Sequence, residues 1–206
     1  MSGRVSDIEG VNKDPKTFYV GSAGGGVWKT TNGGITFDPI FDKYAQSIGK
    51  ITVDQNNPKT IWVGTGEPWV RNSVSVGNGL YKSTDSGANW KRVNNSFGTV
   101  VRPFYFARLV VDPKDEKKIF KMGLNLIISN DGGNRFRTVG SGVHSDMHTV
   151  WVNPQNTNHI LLGTDGGVYQ SFDGGFFFMH LKNLPVSQFY RVTVDNDKPY
   201  NVYGGL

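Results

Sequence analysis

Ser83-Thr84-Asp85-Ser86-Gly87-Ala88-Asn89-Trp90 is the stretch that decides the fold. Its pattern, Ser-x-Asp-x-Gly-x-x-Trp/Phe, recurs at Ser129, Asp131, Gly133 and Phe136, and again at Ser171, Asp173, Gly175 and Phe178. A degenerate copy reads Thr30-Thr31-Asn32-Gly33-Gly34-Ile35-Thr36-Phe37. Asp and Ser side chains bond nearby backbone N–H groups and hold a tight turn. Gly supplies the positive φ that other residues resist. The turn joins two antiparallel strands, and its closing aromatic packs onto a neighbouring sheet. Read this way, Asp85, Asp131 and Asp173 are scaffold, not catalytic acids.

Between the turns a second pattern repeats. An apolar strand runs into an Asp/Asn/Pro turn, and a second strand then ends in Gly. The copies include Ile51-Thr52-Val53-Asp54 with Ile61-Trp62-Val63-Gly64, and Val150-Trp151-Val152-Asn153 with Ile160-Leu161-Leu162-Gly163. Gly21, Gly64, Gly123, Gly163 and Gly204 close the second strands, at spacings of 43, 59, 40 and 41 residues. A period near 40–45 residues with short strands indicates propeller blades of four strands, A to D. The expected architecture is therefore an all-β propeller of four-stranded antiparallel blades in one domain, residues 1–206. The blades fall at about 4–42, 47–94, 104–139 and 145–183, and 188–206 supplies a half blade. Strand A is the apolar, inner, buried strand. A blade cut after two strands leaves an unpaired edge, which predicts a fragment of a larger propeller. A half-open ring of this kind should dimerise or take up the missing blades.

The composition fits. Of 206 residues, 27 are Gly, 13% are aromatic and 19% are charged. The net charge is +5, but Lys and Arg are scattered, so no nucleic-acid surface is expected. With no cysteine, disulfides, thiolate zinc sites and a thiol nucleophile are excluded. No apolar run reaches the ~20 residues of a membrane-spanning helix. Met1-Ser2-Gly3-Arg4-Val5 is not a signal peptide.

The Ser-x-Asp-x-Gly-x-x-Trp turns, together with Gly24-Gly25-Gly26-Val27-Trp28-Lys29-Thr30-Thr31-Asn32-Gly33-Gly34, resemble the Asp-box, or BNR-repeat, propellers. Within that group Trp62-Val63-Gly64-Thr65-Gly66-Glu67 and Gly79-Leu80-Tyr81-Lys82-Ser83-Thr84-Asp85 are similar to sortilin/VPS10-like bacterial proteins often labelled glycosyl hydrolases. Asn183-Leu184-Pro185-Val186 and Gln188-Phe189-Tyr190-Arg191-Val192 carry the same likeness, which covers essentially the whole chain. Relatives of this kind include sialidases, xyloglucan hydrolases, photosystem II assembly factors and peptide-binding sorting receptors. The resemblance implies an extracellular or periplasmic protein, but a fold with so many uses does not name one. One departure weighs against hydrolysis. Where xyloglucanase-like relatives carry a catalytic Asp before Gly-Gly, this chain has Ala23 in Gly21-Ser22-Ala23-Gly24-Gly25-Gly26.

Propeller topology puts A–B and C–D turns on one face and B–C and D–A loops on the other, around the funnel. Candidate residues belong to the second face. Glu67, Trp69 and Arg71 in the second blade's B–C loop suit a polar ligand or a sugar stacked on the indole. They equally suit an internal Glu67–Arg71 pair. In His144-Ser145-Asp146-Met147-His148 an extended backbone puts residues 144, 146 and 148 on one face. His144, Asp146 and His148 could then hold a divalent metal, form an acid–base cluster, or tie inner strands together. Asp165, in Thr164-Asp165-Gly166-Gly167, could pair with Asp146 across adjacent blades as a glycosidase couple, or simply make an Asp-Gly turn. Gln188, Tyr190 and Arg191 are further ligand contacts or inter-blade links. The expectation is a binding or scaffold propeller for a peptide, protein or glycan, with no obligatory cofactor. The alternatives are a glycoside hydrolase using Asp146, Asp165 or Glu67, and a metal site at His144, Asp146 and His148.

Overall fold

A computed structural model describes residues 4–66, 75–100, 108–186 and 191–205. The expected all-β architecture is present. Four antiparallel sheets of four strands follow one another along the chain, then a two-stranded sheet. The first contains β1 (Val5–Val11), β2 (Asp14–Ser22), β3 (Val27–Thr30) and β4 (Asp38–Pro39). The second contains β5 (Ile48–Val53), β6 (Ile61–Thr65), β7 (Leu80–Ser83) and β8 (Lys91–Asn94). A short helix, α1 (Phe97–Val100), precedes the third sheet of β9 (Leu109–Val111), β10 (Ile119–Lys121), β11 (Leu126–Ser129) and β12 (Arg137–Val139). The fourth contains β13 (Met147–Val152), β14 (Ile160–Thr164), β15 (Gly167–Ser171) and β16 (Met179–His180), and β17 (Arg191–Val194) pairs with β18 (Val202–Gly205). Within each sheet neighbouring strands are consecutive in sequence, as short turns dictate.

The turns are built as the residue types require. Ser83 Oγ donates to Asp85 Oδ1 at 2.8 Å and accepts from Gly87 N at 2.9 Å, while Asn89 N donates to Asp85 Oδ1 at 2.8 Å. Ser129 with Asp131 and Ser171 with Asp173 repeat this geometry. Thr30 and Asn32 reproduce it with a hydroxyl and an amide oxygen. The N–H donors hold these carboxyls below their usual range: Asp85 is pulled to about 2, chiefly by the Asn89 backbone N–H, and Asp131 and Asp173 are lowered mainly by Arg135 and Phe177 N–H groups. A depressed folded-state pKa adds stability above the unfolded value of 3.8 and loses it as pH falls toward about 2. The urea midpoint should therefore drop across that window. Asp85→Asn should lower it at neutral pH and flatten the acid dependence.

The core lies between sheets rather than inside them. Tyr19 and Val27 of the first sheet meet Ile51, Val63, Tyr81 and Trp90 of the second. Trp62 and Leu80 meet Leu109 and Ile119 of the third. Phe120 and Ile128 then meet Val150, Leu162 and Phe178 of the fourth. Trp90 and Phe178 are buried and Phe136 partly so, each against the preceding sheet. Their counterpart Phe37 is 40% exposed, and Ile8 and Trp28 on the same flank of the first sheet are exposed as well. At the other end Val192 and Val194 of β17 stand exposed where Val150 and Val152 of β13 are buried. The expectation that every first strand is buried therefore holds for β5 and β13 but not for β1 and β17, on whose exposed flanks no sheet packs among the described residues.

Charged groups reinforce the first interface. Asp7 accepts from Ile51 N at 2.7 Å and pairs with Lys50 at 3.0 Å, so a carboxylate of β1 caps a main-chain donor of β5. Glu9, reaching Val53 N, has its carboxyl pushed up by burial.

Candidate functional site

The first strands of three sheets share an irregularity that builds the site. Pairing skips a residue between Val5 and Asp7, between Ile48 and Lys50, and between Met147 and Thr149. The residue inside each bulge is Ser6, Gly49 or His148. A bulge re-aims its side chain and often sits next to a functional site. In the fourth sheet it directs His148 at the B–C turn, and His148 Nε2 meets Asp165 Oδ1 at 2.5 Å. A carboxylate only accepts, so Nε2 carries the hydrogen and a neutral ring presents Nδ1 as an acceptor. Both side chains are about half exposed, so the pair adds little to stability.

The neighbouring backbone is fixed from both sides. Asp165 N donates to Asp146 O at 3.3 Å, while Asp146 N and Met147 N donate to Leu124 O and Gly123 O of the third sheet. Asp146 has φ of +62°, left-handed for a residue with a Cβ, at a cost of roughly 1 kcal/mol. Strain of this kind concentrates at binding and catalytic sites. His144 lies against Gly166, where an added Cβ would fall 2.5 Å from His144 Cβ, so only glycine admits the imidazole. His144 N donates to Tyr169 Oη at 3.3 Å, and the His180 ring stacks on Tyr169 at 4.5 Å.

Three expectations change. The extended run from His144 to His148 does not exist, because Asp146 turns the chain and His148 sits in a bulge. His144 Nδ1 faces Ser145 O at 2.9 Å, and among the described residues no three His, Asp or Glu side chains converge to hold a metal ion. Asp146 and Asp165 come from one sheet, not from adjacent blades, since Met147 pairs with Thr164. Arg191 is exposed on β17 opposite Gly205. Glu67, Trp69, Arg71, Gln188 and Tyr190 lie outside the described residues. Tyr169 and His180 join the site although the sequence patterns did not single them out. Tyr169 carried a signal: it follows the Asp165 turn in the register that places Tyr81 in the second sheet.

The repeats provide an internal control. Ser6 and Ala23 in the first sheet, and Gly49 and Gly66 in the second, stand where the fourth has His148 and Asp165. Ala23 N to Arg4 O (3.0 Å) and Gly66 N to Ser47 O (2.8 Å) match the Asp165–Asp146 backbone bond. The blade therefore forms without an imidazole or carboxylate at these positions.

Comparison with known proteins agrees with this architecture. No family model matches the chain. A probable oligoxyloglucan-reducing end-specific xyloglucanase of Neosartorya fischeri is 27% identical over 174 residues, covering 74% of this chain and 19% of that protein. The crystal structure of a GH74 enzyme from Niastella koreensis superposes with a TM-score of 0.73 at 21% identity, over 94% of this chain and 32% of that one. YCF48 from Cyanidioschyzon merolae superposes at 0.56 with 16% identity, over 93% and 59%. The chain thus spans about a fifth of the curated relative and a third of the GH74 structure. These likenesses establish the fold: the sheets are blades of a β-propeller.

Proposed function

We propose that the chain is part of an Asp-box propeller whose fourth blade binds a polar ligand, a glycan or a peptide, at the funnel-side cluster of His144, Asp146, His148 and Asp165. The observation that carries this is the His148–Asp165 pair, set on positions that sister blades fill with Ser6 and Ala23 or Gly49 and Gly66. The pair is half exposed and adds little stability, so it is better suited to recognition than to scaffolding. An imidazole and a carboxylate beside a tyrosine offer a hydroxyl-rich or amide-bearing ligand both donors and acceptors. The resemblance to extracellular propellers makes an extracellular location part of this reading.

A second reading is glycoside hydrolysis. The xyloglucanase relative favours it, as do two carboxyl-bearing residues, Asp146 and Asp165, joined through their backbones. Ala23 counts against it. A panel of glycans, peptides and glycosides, screened for both binding and product release, separates the two. Binding without turnover, weakened about tenfold or more by Asp165→Asn, is the expected result. Product release abolished by that substitution would establish the hydrolase instead. If no probe binds, or if Asp165→Asn binds like the parent, the site is not where we place it.

A further inference from the structure

Lys121 occupies an apolar position. In the second and fourth sheets the residue opposite the first strand's core position faces the preceding blade. Val63 stands opposite Ile51, and Leu162 opposite Val150. The same register in the third sheet puts Lys121 opposite Leu109. Val63 and Leu162 are completely buried, and Lys121 is only 6% exposed. Its ammonium has no hydrogen-bond or ion-pair partner among the described residues. It borders a cavity of about 20 Å³ between the second and third blades, lined also by Thr65, Gly79, Leu80, Thr99, Leu109 and Phe136. No carboxylate lines that space among the described residues.

A buried ammonium without a counter-charge is costly, and none of the described residues lining the cavity supplies one. Space of this size holds one water-sized or slightly larger occupant, since about 10–15 Å³ admits a single water. It is far too small for a sugar ring or a phosphate ester. We propose that this cavity is a binding site for one small inorganic anion of the halide class, with the Lys121 ammonium as its charge. Burial alone pushes the Lys121 ammonium down to about 8, so much of it stays charged at neutral pH and still requires an anion. The site is separate from the His148–Asp165 cluster and independent of what that cluster binds.

Chloride is the probe. It is titrated against isethionate at constant ionic strength while the thermal midpoint of the full chain and of Lys121→Met is followed. Linkage predicts that the parent midpoint rises by roughly 3–6 °C at about ten times Kd. Lys121→Met should start from a higher chloride-free midpoint and show no chloride response. A bromide-soaked crystal of the parent supplies a second readout that does not depend on the variant folding: an anomalous peak at hydrogen-bond distance from Lys121 Nζ. A flat parent titration, an equal response in Lys121→Met, or a cavity without bromide each overturns the assignment.

Discussion

Phe41→Ala is expected to lower the unfolding free energy by about 3–5 kcal/mol, a large share of what a domain of this size has. Phe41 follows β4 in the link between the first two blades and is completely buried. Its ring meets Tyr44, Tyr81 and Trp90 with centroids 4.8, 5.2 and 5.1 Å away. Trp90 Nε1 bonds Ile40 O and Tyr44 Oη bonds Trp90 O, so the ring sits inside a closed set of polar ties that resists collapse into the vacated space. A cavity left there stays open, which is the costly case for a large-to-small substitution. Urea denaturation of Phe41→Ala beside Phe37→Ala checks this. Phe37, 40% exposed, should cost under about 1 kcal/mol. Equal losses at both sites would mean that the inter-blade aromatic cluster is not the support described here.

Gly79→Ala is expected to be at least as damaging, for a backbone reason. Gly79 has φ of +130°, and a Cβ there would lie 2.2 Å from Asn94 O, a main-chain atom that cannot rotate away. Relief requires the loop to move. That movement disturbs Thr65 N to Gly79 O (3.1 Å), Thr65 Oγ1 to Gly79 O (2.7 Å) and Gly79 N to Thr65 Oγ1 (3.0 Å). Strain and broken buried hydrogen bonds together predict more than about 3 kcal/mol. Chemical denaturation followed by tryptophan fluorescence measures it, and a loss below about 1 kcal/mol would mean that the loop adapts.

Much of the fold was legible because its determinants are local. Ser83, Asp85 and Gly87 satisfy one another within a single turn, so their identities alone locate a β-turn between two strands. Repetition then gives the blades. The site was legible only in composition. His144, Asp146, His148 and Asp165 were identifiable as residues, but their geometry depends on a bulge at His148 and a left-handed Asp146. Neither leaves a mark in residue type, since bulges arise from pairing register and Asp is not required at positive φ. Lys121 was legible in principle. Aligning Val63, Leu162 and Lys121 by strand register exposes one charge in an apolar column, but that register becomes certain only when the strand pairs are seen.

The placement of the core between blades makes this chain a one-dimensional array. Each blade is stabilised by its neighbours, so stability resembles a sum of intrinsic terms and nearest-neighbour couplings. The second and third blades have two couplings each. The first, with Ile8 and Trp28 bare on one flank, has one among the described residues. Disorder in such an array enters from the ends and travels inward. The fourth blade, which bears His148 and Asp165, leans on the third through Val150 and Leu162. Whatever docks on its far side adds a second coupling, so occupancy of that flank and readiness of the binding cluster become linked quantities.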